Sequence, residues 1–204
     1  MNFEEAISLI KSFWNEPNLP FGSKNFNEVI RLEKELNVEL PAELRMYLSS
    51  YAPDRDYAFE TIGNQISLYN PKNISSRLDG YSWNPVTSEK IDDWLPTWFL
   101  IGDEGADPII VDLAIQGRSC PVFQSAHGIG TWNFSLIAYS IPLYMVLVAA
   151  QHHALTGFEK KMNVITDDEK GFNLIEPAAN WYFPFLKKLI PDLYQYWTES
   201  LDNA

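Results

Sequence analysis

A chain of 204 residues with 46% hydrophobic and 21% charged residues has globular composition, which excludes a disordered or collagen-like polymer. At this length folding buries roughly 70% of the surface of the unfolded chain, so neither a disulfide framework nor a metal staple is required. The net charge of -12 argues against a nucleic-acid backbone or an anionic membrane surface as partner, since both call for clustered Lys and Arg. That charge suits fast, salt-sensitive capture of a basic partner, and it also serves solubility alone.

The elements follow in chain order. Phe3, Ile7, Ile10 and Trp14 recur at helical spacing over residues 2–14, with Asn2 and Glu5 placed as a capping box. A loop with two prolines and a glycine leads to a second helix from Phe26 to Leu36, ended at Asn37. Pro41 then fits the first turn of a third helix through Leu44, Tyr47 and Leu48. After Pro53 the pattern turns to strands, with Tyr57 to Ile62 and Gln65 to Tyr69 flanking Gly63-Asn64 as a two-residue hairpin turn. Residues 70–93 are polar and rich in turn residues, and are expected to form a long excursion. Extended runs at Trp98 to Ile101, Ile109 to Leu113, Pro121 to Gln124 and Thr131 to Ala138 complete the strands. Ser140 is placed as the N-cap of a helix that has Pro142 in its first turn and ends near Ala154. A charged hinge at Thr166 to Gly171 precedes an aromatic-rich segment, and Pro191 opens a last helix. Helices, then strands, then helices indicate an α+β fold with a mostly antiparallel sheet of about five or six strands.

Residues 119–158 contain no Asp, Glu, Lys or Arg, yet Gly128, Gly130, Asn133, Pro142 and Gln151 interrupt them, so they read as interior, not as a membrane span. The first residues, Met1 to Glu5, lack the basic start and apolar run of a signal peptide. With Cys120 as the only cysteine, no internal disulfide or cysteine zinc cluster can form, and a reducing, cytoplasmic setting is expected.

Catalytic constellations are sparse. No G-x-S-x-G elbow, H-E-x-x-H or phosphate-binding glycine loop occurs, and no cofactor is implied. Cys120 reads as a small core thiol, and His127 as a turn or hydrogen-bonding residue. His152 and His153 point about 100° apart on a helix and suit its C-terminal dipole or solvent. The strongest charge feature lies between Leu78 and Gly117, where Asp79, Glu89, Asp92, Asp93, Asp103, Glu104, Asp107 and Asp112 are offset only by Lys90. These acids admit four readings: a metal site, catalytic carboxylates, a patch facing a protein partner, or solvated turn residues. Trp94, Trp98, Phe99, Phe123 and Trp132 are expected to cluster near the strands, as core or as interface anchors.

Three segments together resemble the SUKH superfamily, which includes bacterial immunity proteins and a fungal regulator of cell-wall assembly. They are Ile30 to Leu36 followed by Leu40-Pro41-Ala42-Glu43-Leu44 and Tyr47-Leu48; Leu100 to Asp107 with the strand Ile109 to Asp112; and Pro121-Val122-Phe123, His127 and Ile137 to Ser140. The resemblance covers about residues 26–152 within an α+β domain at 1–156, and 157–204 are read as a helical extension on the same domain. Ala106 stands where the family pattern has glycine. In the turn after Ile101, Gly102 and Gly105 are expected to permit a tight bend, with the carboxylates at its tip. The resemblance implies a non-enzymatic immunity protein that sequesters a toxin domain, basic to match this charge; the alternatives are a regulatory or scaffold module and a metal-dependent hydrolase using Asp103, Glu104 and Asp107. Candidate partner-binding residues are Asp92, Asp93, Trp98, Asp103, Glu104 and Asp107. Oligomeric state and the toxin's identity do not follow from the sequence.

Overall fold

A computed structural model describes residues 1–22, 24–74, 78–159, 164–168 and 171–204. It has the expected α+β architecture, with a six-stranded antiparallel sheet and helices at both ends of the chain. Helix α1 (Phe3–Phe13) starts with the expected capping box: Glu5 N–H donates to Asn2 Oδ1 at 2.9 Å, and Asn2 N–H donates to the Glu5 carboxylate at 2.9 Å. Helix α2 (Phe26–Leu36) ends at Asn37 in the left-handed region, φ 52°, a conformation that asparagine tolerates better than most residues. Helix α3 (Ala42–Met46) follows Pro41, which serves as its N-cap, and runs on into a π-helical turn, Tyr47–Tyr51.

The main sheet is built from β1 (Tyr57–Phe59), β2 (Ile66–Leu68), β5 (Trp98–Glu104), β6 (Asp107–Asp112), β7 (Val122–Gln124) and β8 (Ser135–Ala138), in that spatial order. The excursion between β2 and β5 carries a short ribbon, β3 (Trp83–Asn84) with β4 (Glu89–Lys90). Two expectations need correction. Strands β1 and β2 are only three residues each, so residues 60–65 join them in place of a two-residue turn. Gly102 lies inside β5 at an irregularity in its pairing with β6, not in the turn. A Cβ there would meet Ser67 O at 2.3 Å, so glycine lets β2 come close. Strand β6 is flanked by β5 and β7, and Pro108 to Val111 are buried in sequence, as befits an interior strand covered on both faces.

Helix α4 (Ile141–Thr156) begins directly after Ser140. Its first ten residues are buried throughout, the mark of a helix covered on every side. No described helix is long and apolar enough to cross a membrane. In the C-terminal segment β9 (Ile165–Asp168) pairs with β10 (Gly171–Leu174), so the expected charged hinge is a hairpin; its residues 169–170 lie outside the described set. Helix α5 (Ala178–Leu189), a 3₁₀ turn (Pro191–Leu193) and α6 (Tyr194–Thr198) follow.

Contacts divide the chain into two compact units. One comprises residues 20–58 and 67–141; the other comprises 1–19, 59–66 and 142–204. In the second unit Phe13, His153, Trp181 and Phe185 form an aromatic cluster, with His153 4.7 Å from Trp181 and 5.4 Å from Phe13 between ring centres. His152 stacks on Trp14 at 5.1 Å, accepts Glu60 N–H at Nδ1 (2.9 Å) and donates from Nε2 to Glu16 (2.8 Å). The Glu60 amide can only donate, so it fixes the neutral ring with its proton on Nε2. Both histidines are thus buried packing residues, which corrects the expected solvent exposure, while His153 does lie in the last turn of α4 as the dipole alternative requires.

Burial, and secondarily the neighbouring His152, hold the His153 pKa below its ordinary value of 6.5. The unfolded chain therefore binds the proton more readily, and stability contributed by neutral His153 is lost as pH falls below about 6.5. His153→Phe keeps a ring in the cluster and removes this proton uptake. The drop in urea midpoint between pH 7.5 and 5.5 should be smaller in that variant than in the parent, and equal drops would contradict it.

Candidate functional site

The candidate site is built on the tip of the β5–β6 hairpin and the segments beside it, all within the unit of residues 20–58 and 67–141. Glu104 pairs with Asp107 across a two-residue turn whose central residues, Gly105 (φ 57°) and Ala106 (φ 82°), both lie at positive φ. Such turns match the right-handed twist of a hairpin and favour glycine or asparagine. Ala106 is therefore strained. Ala106→Gly should stabilise the protein by about 1 kcal/mol, read as a raised urea midpoint; an unchanged or lower midpoint would show that the turn relaxes at no cost.

Three carboxylates at this tip have internal work. Asp103 accepts the Tyr69 hydroxyl and, at 3.4 Å, the Ala106 N–H. Glu104 accepts Gln124 Nε2 at 3.1 Å. One oxygen of Asp107 takes the His127 backbone N–H at 2.8 Å and its ring Nδ1 at 2.6 Å, which fastens the loop after β7 to the turn. Asp92 and Asp93 are exposed instead, just before Trp94. Trp98 is half-buried, 4.6 Å from Phe134 and 5.5 Å from Trp94 between ring centres.

Trp94 is the hub of a cluster with Tyr81, Trp98, Trp132 and Phe134. Phe99 is not part of it, because successive strand residues face opposite sides and Trp98 takes the cluster side. Phe123 is placed in β7 between Ile110 and Leu136. Tyr81, missed in the sequence, joins the cluster to the turn by donating its hydroxyl to Ala106 O at 3.0 Å. Burial first, then the charges of Asp103 and Asp107, push the Tyr81 phenol well above its ordinary range.

Beside the turn opens a cavity of about 360 Å³, bordered by Asp79, Tyr81, Asp93, His127, Trp132 and the loop Gly128-Ile129-Gly130. Glu43 holds a second junction in this unit: its Oε1 accepts the N–H groups of Cys120 and Ile141, each at 3.0 Å. Cys120 is buried, and burial with the nearby Glu43 charge pushes its thiol up to about 11, away from nucleophilic use. Among the described residues no group of three or more His, Cys, Asp or Glu is arranged to hold a metal.

Compared with known proteins, residues 25–141 match the family described as SMI1 / KNR4 family (SUKH-1). No curated protein matches the chain. The matched stretch covers most of the unit that carries the hairpin tip and the cavity, and it leaves out α1 and everything after Ile141.

Proposed function

Because the chain belongs to the SMI1 / KNR4 (SUKH-1) family, we propose that it is a non-catalytic immunity protein that binds a cognate toxin domain and covers the toxin's active site. The family match over residues 25–141 carries this reading, since that stretch also contains the acid-rich segment from Leu78 to Gly117. The net charge of -12 supports a basic partner surface. In this mechanism the acids speed encounter and the aromatics beside them slow release.

The hydrogen bonds of Asp103, Glu104 and Asp107 make those three poor subjects for charge reversal, because the turn would suffer with the charge. Asp92 and Asp93 are the clean choice. Asp92→Lys with Asp93→Lys should lower the association rate about tenfold at low salt and flatten its salt dependence. An unchanged rate at low salt would show that these two acids do not steer the partner.

The reading is tested by affinity purification of the tagged protein from its native cell. One stoichiometric partner with a basic toxin-like domain supports immunity. Several substoichiometric partners with no link to toxicity would favour the regulatory or scaffold role instead.

A further inference from the structure

The cavity beside the β5–β6 turn has a chemistry of its own. Its wall includes Tyr81 and Trp132, two aromatic rings whose centres lie 5.9 Å apart. Two carboxylates, Asp79 and Asp93, border it, and both residues are exposed. Its lip is Gly128-Ile129-Gly130, where the two glycines adopt φ 74° and 92° with open space on the side-chain side, and Ile129 is 63% exposed. No lysine or arginine borders the cavity among the described residues.

An exposed isoleucine at the mouth of a pocket offers contact to an aliphatic stem. Aromatic faces attract a cation, and carboxylates at the rim hold its N–H groups. A planar guanidinium uses both features better than an ammonium, since it stacks on rings and bonds in two directions at once. An anion would be repelled by the two acids, and an uncharged apolar group would gain nothing from them. We propose that this cavity receives an arginine side chain presented by the protein partner, its stem against Ile129 and its guanidinium held by the aromatic wall and by Asp79 and Asp93.

The inference deepens the toxin-binding reading by naming the group that the partner inserts. It is tested without that partner. N-acetyl-arginine amide is titrated into the isotope-labelled full chain at fixed pH, with N-acetyl-citrulline amide as the uncharged control of the same shape. Saturable shifts are expected at the Trp132 indole N–H and at the Gly128 and Gly130 amides, with citrulline at least tenfold weaker. The Trp132 indole suits the purpose, because its Nε1 is buried with no hydrogen-bond partner among the described residues. Asp79→Asn with Asp93→Asn should weaken arginine at least fivefold while leaving distant amide signals in place. Equal binding of citrulline, shifts scattered over the surface, or an unaffected double variant would overturn the proposal. A chain that binds arginine here yet captures no toxin would keep the pocket and lose the immunity reading; capture of a toxin without arginine binding would do the reverse.

Discussion

Gly102→Ala is expected to destabilise the fold by about 3 kcal/mol or more, at the upper end of what one carbon forced into a filled interior costs. The new Cβ would lie 2.3 Å from Ser67 O and 3.1 Å from a methyl carbon of Leu68. The first of these is backbone in the neighbouring strand, so no side-chain rotation relieves the clash. The strands would have to separate, which strains the hydrogen bond from Tyr69 N–H to Ile101 O at 3.1 Å. For a protein whose total stability is on the order of 5–15 kcal/mol, such a loss is severe. Gly63→Ala is the control, because open space surrounds that position, and it should shift stability by no more than about 0.5 kcal/mol. Urea unfolding of both variants checks the contrast. Similar midpoints would mean that β2 and β5 can part without cost.

Glu43→Ala should cost about 3 kcal/mol, since it strips the acceptor from two backbone N–H groups and each buried orphan costs about 1–3 kcal/mol. Cys120 and Ile141 are both almost fully buried, so water cannot readily replace the carboxylate. Glu43→Gln retains an oxygen acceptor and should lose less than half as much. The thiol gives an independent reading. With the Glu43 charge removed, the Cys120 pKa should fall from about 11, while burial keeps it above the ordinary 9.0. The pH dependence of alkylation in Glu43→Gln measures this. A thiol that titrates as in the parent would contradict the proximity of the two groups.

Local chemistry was legible in the sequence wherever neighbours in the chain decide the outcome. The Asn2–Glu5 capping box, the stop at Asn37 and a helix start beside Pro41 are of this kind. What escaped depends on distant partners. The place of Gly102 is set by Ser67 on another strand, and that of Glu43 by amides 77 and 98 residues away. The burial of His152 and His153 comes from Trp14 and Trp181, which no spacing near the histidines announces. The hairpin at Ile165–Asp168 and Gly171–Leu174 was hidden because charged residues make up much of its first strand, and tertiary context outweighs their weak strand preference. At the candidate site the acids were visible. Their division into exposed Asp92 and Asp93 and hydrogen-bonded Asp103, Glu104 and Asp107 required the positions of Tyr69, Gln124 and His127.

The proposed neutralisation of a toxin is tested by growth protection. The partner captured from the native cell is expressed alone and together with this protein, under matched induction. Arrest by the partner alone and restored growth with the protein present are expected. Unrelieved arrest in the presence of soluble, stoichiometric protein, or a partner that arrests nothing, would contradict it.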